Sequence, residues 1–224
     1  MQYIRIVVEE SEDVEGRTKM TDKVIENNQV TVMGEVVSNF SYSHEIYGEG
    51  FYMVDIKCTR LSDSFDIIPV MVSERLLDVT ASYVGMLLCV NGQFRSYNRH
   101  EERKNRLVLS VFAREVKFIE EMEESSKTNQ IYLDGYICKE PVYRKTPLGR
   151  EIADLLLAVN RPYGKSDYSE HFKVGERCAI WGRIQSREYM KKLDEEHVEK
   201  RVAFEVSVSK LELLEEAQVQ ESIV

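Results

Sequence analysis

Residues 28–37 read NQVTVMGEVV, and residues 129–138 read NQIYLDGYIC. Both segments begin with Asn-Gln and carry glycine at their seventh position, and the match continues without a gap from 28–60 onto 129–161. It resumes, after shifts in offset, where GMLLCVNGQFRSY meets GERCAIWGRIQSR and where RLVLSVFAREVKFIEE meets RVAFEVSVSKLELLEE. Internal similarity of this length predicts two copies of one domain.

Apolar and polar residues alternate in each copy with the period of a half-buried strand, as in Val202, Phe204, Val206 and Val208. Five strands are predicted in the first copy, at 29–38, 50–60, 65–73, 85–97 and 105–118, with a short helix, SERLLDVTASY, between the third and the fourth. This is the layout of an OB-fold, a five-stranded, partly open Greek-key barrel. The chain is therefore predicted to be all-β, with two tandem OB-fold barrels.

The repeat also sets the domain boundaries. We expect an acidic N-terminal extension, a first barrel, a charged linker, a second barrel and a C-terminal tail, at 1–27, 28–119, 120–128, 129–214 and 215–224. One strand, Tyr3 to Val8, is predicted in the extension, but the first 19 residues are expected to have no role in the fold.

The second copy is shorter than the first at one place. Arg161 and Gly175 are 14 positions apart, whereas Arg60 and Gly85 are 25 apart and enclose the first copy's third strand. The second barrel is thus predicted to lack strand 3 and to expose two sheet edges, a liability that proteins normally cover. Either another chain covers them or a segment is missing from the sequence.

Composition and charge exclude several classes of protein. With 43% hydrophobic and 31% charged residues, the chain has the composition of an ordinary globular protein. The sequence shows neither a membrane-spanning run nor a secretory signal, so a cytoplasmic location is expected. The net charge is −9, with −3 in residues 1–27, −3 in 119–128 and −3 in 214–224, so the two repeat bodies are close to neutral.

No catalytic or cofactor site is predicted. The four cysteines form no C-x-x-C pair, which argues against both a zinc site and a disulfide framework. The chain contains neither G-x-x-x-x-G-K-[ST] nor H-E-x-x-H, and its four histidines are scattered. We therefore expect a protein that is not an enzyme and that carries no metal and no cofactor.

The second copy resembles the bacterial single-stranded DNA-binding protein family. The resemblance rests on Asn129, Gly135 and Pro141, on the hairpin RKTPLGR, on LAVNR at 157–161 and on GRIQSR at 182–187. It implies non-specific binding of single-stranded DNA in replication, recombination or repair, by a homo-oligomer that also contacts replication or repair proteins. It further implies that Tyr163 and Tyr189 stack on bases. Unlike the family's acidic tail, EEAQVQESIV lacks the short apolar tip.

Basic and aromatic residues gather on the loops that an OB-fold uses for binding. Such binding needs cations beside phosphates and rings under bases. The predicted DNA-contacting residues are Tyr143, Arg144, Lys145, Arg150, Arg161, Tyr163, Arg183, Arg187, Tyr189, Lys191 and Lys192 in the second copy, and Arg95, Tyr97 and Arg99 in the first.

Two alternatives remain open at this point. A tyrosine in a β-protein also serves as a cross-strand packing residue, and Lys191 and Lys192 precede three acidic residues, which is typical of a solvated loop. The alternative function is an OB-fold protein-interaction module that has lost its DNA-binding face.

Overall fold

A computed structural model describes residues 2–9, 27–60, 62, 64–101, 104–122, 127–145, 149, 151–159, 175–192 and 198–214, with the backbone alone for 2–3, 5–9, 97–101 and 104–107. The described residues form twelve strands. They are β1 (Gln2–Glu9), β2 (Asn28–Val36), β3 (Ser41–Ile46), β4 (Glu49–Thr59), β5 (Phe65–Ser73), β6 (Leu87–Glu101), β7 (Lys104–Ile119), β8 (Asn129–Ile137), β9 (Val142–Lys145), β10 (Glu151–Val159), β11 (Arg177–Lys192) and β12 (Val198–Leu214).

The first copy closes into a five-stranded barrel. Its hydrogen-bonded order is β4-β5-β7-β6-β2, and β2 pairs again with β4. In this barrel β5 runs antiparallel to β4 and parallel to β7. Alternate residues of β4, namely Val54, Ile56 and Cys58, are buried in the core, and β3 extends the edge of β4 as a hairpin. The predicted barrel and its five strands are confirmed.

The second barrel closes in the same way, but one of its strands comes from the N-terminus. Its order is β8-β11-β12-β1-β10, and β8 pairs with β10 to complete the circle. β1 runs antiparallel to β10 over all eight of its residues and parallel to β12 around Ile6↔Val206. β1 thus takes the place in the second barrel that β5 takes in the first.

This arrangement corrects two expectations. Residues 2–9 have a role in the fold, because they form the strand that the second copy lacks. The two sheet edges expected to be exposed, on β10 and β12, both pair with β1, so neither another chain nor a missing segment is needed to cover them. The predicted strand itself, Tyr3 to Val8, is confirmed.

The two barrels join edge to edge through their equivalent first strands. β2 and β8 pair antiparallel with Val30 opposite Ile131, which occupy the same position in the repeat. The junction therefore has the two-fold geometry of a homodimer interface built within one chain. It links all twelve strands into one continuous sheet.

Residues repeated at the start of each copy have a structural reason to recur. The Asn28 side chain donates to Phe94 O (2.8 Å) and accepts from Phe94 N (2.9 Å), and Asn129 makes the same pair of bonds with Ile184 (2.7 and 2.9 Å). At Gly34 and Gly135, a Cβ atom would collide with a backbone carbonyl of the strand that closes the barrel. Glycine is therefore required where β2 crosses β4 in the first barrel and where β8 crosses β10 in the second.

The helix predicted at SERLLDVTASY is wrong. The structure has turns from Glu74 to Ala81 in its place. The Asp78 carboxylate accepts hydrogen bonds from the backbone N and the hydroxyl of Thr80 (3.0 and 2.6 Å). Such side-chain bonds compete with helical ones, and β-branched Val79 and Thr80 lower helix propensity further.

Two further features bear on function. In the part of the chain that the structure describes, no helix is long and apolar enough to span a membrane. All four cysteines are free thiols, and Cys58 and Cys178 are buried in their barrels. Burial raises the pKa of each of these two thiols to about 12, so both are protonated at neutral pH.

Candidate nucleic-acid interface

The hairpin of β9 and β10 presents a ring and two cations at the surface of the second barrel. The Tyr143 side chain is 79% exposed. Arg144 donates to both oxygens of Asp154 (3.0 and 3.2 Å), and Lys145 Nζ lies 3.3 Å from a Glu151 oxygen. The Lys145–Glu151 pair is exposed at both ends, and such a pair stabilises a protein by less than about 1 kcal/mol. A DNA phosphate can therefore replace the Glu151 carboxylate at small cost.

The second such surface is a long two-stranded arm. β11 pairs with β8 only as far as Gly182, and then continues with β12 to Lys192. We call residues 185–192 and 198–205 the second-barrel arm. It carries Tyr189, which is 37% exposed, together with the exposed Lys191 and Lys192.

Arg187 lies on the same arm and faces a buried acid. Its Nε is 3.8 Å from Oε1 of Glu205, whose side chain is 7% exposed. At this distance the two groups attract each other without a hydrogen bond. Arg187 is nearly half exposed, so its guanidinium can contact Glu205 and solvent together.

Arg183 was predicted to contact DNA, but the structure places it at the junction of the two barrels. Its Nη1 lies 3.5 Å from Asp66, a buried carboxylate of β5. Asp66 also receives two bonds from Arg60 (2.7 and 2.5 Å) and one from the backbone N of Ser186 (2.9 Å). The bond to Asp66 raises the pKa of Arg60. In this structure, Arg183 therefore makes an ion-pair contact between β11 and β5, and its contact with DNA stays a prediction.

In the first copy, the equivalent first-barrel arm comprises residues 95–101 and 104–110. Arg95 is half-buried, with its guanidinium carbon 4.1 Å from the centre of the Phe112 ring and two bonds to Gln93 (3.1 and 2.7 Å). Tyr97 and Arg99 pair through their backbones with Val108 and Arg106. All three predicted residues thus lie on one strand of the arm.

Three predicted residues lie outside the described part of the chain. They are Arg150, Arg161 and Tyr163. Their roles stay predictions.

The sequence did not predict one surface of the first barrel as part of the site. Phe65 and Ile67 are exposed on β5 and alternate with the buried Asp66 and Ile68. Lys57, on the neighbouring β4, holds its Nζ 4.8 Å from the centre of the Phe65 ring. The period-two alternation along 65–73 could have identified these outward positions, because it separates core residues from surface residues.

An acid shares that surface. Asp55 lies two residues before Lys57 on β4, between the buried core residues Val54 and Ile56, so it faces outward as Lys57 does. Partial burial raises the pKa of its carboxyl group. The equivalent residue of the second barrel is Leu156, so this carboxylate is specific to the first barrel.

The described residues offer no metal site, since their His, Cys, Asp and Glu side chains form no group that could hold an ion. The arrangement can instead bind an extended polyanion. It combines exposed tyrosines with solvent-exposed cations, which are the two elements of single-strand binding.

Solved structures with the same architecture are available for comparison. The wild-type single-stranded DNA binding protein from Thermus aquaticus aligns with 86% of this chain and 95% of its own, at TM-score 0.62 and 18% identity. The chain has the fold of the bacterial single-stranded DNA-binding proteins. A deletion mutant of the Thermus protein aligns with 87% of this chain and 97% of its own, at TM-score 0.61 and 18% identity. These matches confirm the tandem OB-fold prediction and the predicted resemblance.

A third structure covers a shorter part of the chain. The N-terminal domain of PriB protein from Thermoanaerobacter tencongensis, described as dimeric, is 39% identical over 43% of this chain and 100% of its own, at TM-score 0.38. No family model matches the sequence, and no curated protein matches it either.

Proposed function

We propose that this protein binds single-stranded DNA without sequence specificity and acts in DNA replication, recombination or repair. The observation that carries the proposal is the exposure of Tyr143 beside Arg144 and Lys145 on the first hairpin of an OB barrel. A tyrosine that is 79% exposed packs against little of its own barrel, so its ring is available for stacking on a base. Stacking of this kind contributes about 1–3 kcal/mol per base and tolerates any sequence.

The electrostatic part of binding is expected to be moderate. Among the described residues, five cations on the second barrel's hairpins lie 2.6–3.8 Å from a carboxylate. Each phosphate contact must therefore displace an ion pair before it contributes. The affinity should fall with salt by a slope of about 0.7 per phosphate contacted.

Closure of the second barrel weakens the case for a protein-interaction module. That alternative drew support from the open edges expected on the second copy, and β1 occupies both. We accordingly favour DNA binding over the interaction module. We further propose that the protein works as a homo-oligomer in the cytoplasm, without catalytic activity.

Fluorescence anisotropy with a labelled oligo-dT of about 35 nucleotides tests the proposal, because two OB-folds cover at most about 16 nucleotides each. We expect saturable binding that weakens with salt. Unlabelled single strands of mixed sequence should compete nearly as well as oligo-dT, whereas a duplex of equal length should compete poorly. Equal competition by the duplex, or no binding at low salt, would refute the proposed function.

A further inference from the structure

The second-barrel arm extends beyond the strands of its own barrel. β11 pairs with β8 only up to Gly182, and β12 pairs with β1 only from Val206 onward. Among the described residues, the strands of the arm, 185–192 and 198–205, therefore pair only with each other. A hairpin of two strands alone is marginally stable in water, so the position of the arm depends on contacts made at its base.

Ser186, at the base of the arm, is bonded to the other barrel. Its backbone N donates to Oδ1 of Asp66 at 2.9 Å, and its hydroxyl donates to the same oxygen at 3.3 Å. The hydroxyl also accepts from the backbone N of Ile67 at 3.2 Å. Three hydrogen bonds thus join the base of the second-barrel arm to β5 of the first barrel.

The acceptor of two of these bonds, Asp66, is held firmly in the first barrel. Its side chain is 1% exposed. Arg60 donates to both of its oxygens at 2.7 and 2.5 Å, and Arg183 Nη1 lies 3.5 Å away. A buried carboxylate needs such partners, because an unpaired buried charge is strongly destabilising. Asp66 is therefore a fixed point to which the arm can be bonded.

The same acid does not recur in the second barrel. By register, the residue of β1 that corresponds to Asp66 is Gln2, and the repeat aligns Arg183 with Gln93. Neither of these two residues is charged. The pair of Asp66 and Arg183 is thus specific to the contact between the second-barrel arm and β5.

The predicted DNA contacts of the arm follow directly after Ser186. Arg187 is the next residue, and Tyr189 and Lys191 lie further along the same strand. A segment that is loosely held loses conformational freedom when it binds, and this loss weakens binding. Because Ser186 is bonded to β5, the arm is already positioned relative to both barrels before DNA arrives.

We propose that Asp66 is a positioning residue for DNA binding, which holds the base of the second-barrel arm on the first barrel through Ser186. The proposal rests on the proposed function and adds that an acid of one barrel sets the affinity of binding residues carried by the other. Asp66 is buried, so it acts through the arm and does not itself contact DNA.

Substitutions on both sides of this contact test the proposal in the full chain. Ser186→Ala removes the hydroxyl and its two hydrogen bonds, whereas Ser186→Thr keeps a hydroxyl and is the conservative rescue. Asp66→Asn removes the charge and keeps the size of the side chain. The double variant of Ser186→Ala and Asp66→Asn shows whether the two residues act through one contact.

The second barrel offers a matched control for each substitution. Ser209→Ala also removes a serine hydroxyl, but that hydroxyl donates to Trp181 O at 3.1 Å within the same barrel. Asp134→Asn also removes an acid that two arginine nitrogens contact, but its partner, Arg177, lies in the same barrel at 2.9 and 2.7 Å. Neither control touches the contact between the arm and β5.

Three measurements are made on every variant. They are the dissociation constant for oligo-dT at several salt concentrations, the hydrogen exchange of peptides from the arm in the free chain, and the urea midpoint followed by tryptophan fluorescence. Affinity and salt slope report on binding, exchange reports on the arm alone, and the midpoint reports on the second barrel as a whole.

We expect Ser186→Ala to weaken oligo-dT binding about 3- to 10-fold, as the ordering of a loosened segment requires. Its salt slope should stay unchanged, because no cation is lost. The arm should exchange about tenfold faster, with the urea midpoint close to that of Ser209→Ala. Ser186→Thr and both controls should keep the affinity and the arm exchange of the wild type.

Asp66→Asn should weaken binding at least as much as Ser186→Ala, and the double variant should bind no more weakly than Asp66→Asn alone. Wild-type affinity or wild-type exchange of the arm in Ser186→Ala overturns this proposal and leaves the proposed function standing. Tighter binding by Asp66→Asn with a steeper salt slope also overturns it, because the acid would then only neutralise nearby cations.

Two further outcomes have a defined reading. If Asp66→Asn does not fold, the comparison of Ser186→Ala with Ser186→Thr and Ser209→Ala decides the question. If the wild type binds no single strand, the proposed function fails and this proposal fails with it, so the wild-type titration distinguishes the two failures.

Discussion

Truncation of Ile4 tests whether the N-terminal strand is part of the second barrel. Ile4 is fully buried opposite Leu157, and its strand pairs with β10 and β12. Replacing a buried isoleucine by alanine removes apolar contacts and leaves a cavity, which costs about 2–5 kcal/mol. We expect Ile4→Ala to cost about 3 kcal/mol. With a urea m-value of about 2 kcal/mol/M, the unfolding midpoint of the second barrel should fall by about 1.5 M.

The chain provides a specific reporter for this experiment. Its single tryptophan, Trp181, lies on β11 of the second barrel, 5.1 Å from the ring of Tyr132. Tryptophan fluorescence in urea therefore follows the barrel that β1 completes. Ile68→Ala is the matched control, because Ile68 occupies the equivalent buried position of the first barrel.

The result that would refute this reasoning is equally specific. If Ile4→Ala leaves the tryptophan midpoint unchanged while Ile68→Ala lowers the midpoint followed by far-ultraviolet circular dichroism, β1 is not packed in the second barrel. The first 19 residues would then be an extension without a role in the fold.

Three other predictions concern single side chains. Asn28→Ala and Asn129→Ala should each lower the free energy of unfolding by about 1–3 kcal/mol, because each removes two hydrogen bonds, one with a backbone NH and one with a backbone carbonyl; urea midpoints equal to the wild type would contradict this. Tyr143→Ala should weaken oligo-dT binding about 5- to 100-fold and leave the thermal midpoint unchanged, since the ring is exposed; unchanged affinity would remove Tyr143 from the site. The raised pKa values of Cys58 and Cys178, about 12, mean that the unfolded chain loses thiol protons first, so stability should fall as pH rises from about 8.5 towards 12, by about 2 kcal/mol per thiol at pH 10. Urea midpoints at pH 8 and pH 10 measure this, and the loss should be smaller in a variant with valine at both positions.

The repeat predicts most of the fold because each copy shows its strands in its own pattern of residues, which can be read directly from the sequence. The two glycines of NQVTVMGEVV and NQIYLDGYIC mark the same strand crossing in both barrels. The position of β1 could not be predicted in the same way. Alternation in residues 2–9 indicates a strand, but it says nothing about a partner, and β12 lies about two hundred residues further along the chain. Whether two strands so far apart in sequence pair depends on which sheet edges the rest of the barrel leaves without a partner strand.

The candidate site was predictable in composition and less so in geometry. Basic and aromatic residues on the hairpins are visible in the sequence, and Tyr143 is as exposed as a stacking platform requires. Arg183 carries the same charge, but its position on β11 brings it to the buried Asp66 of the other barrel. The sequence does not show this contact, because it joins two copies that the repeat describes separately.

Hydrogen exchange of residues 2–9, followed by mass spectrometry on the free full-length chain, tests the central claim most directly. Pairing to β10 on one side and β12 on the other predicts that these amides exchange far more slowly than those of an unstructured peptide, at rates close to those of the amides of β5. Exchange of residues 2–9 at the rate of an unfolded peptide, with β5 protected, would contradict the claim that the N-terminal strand completes the second barrel.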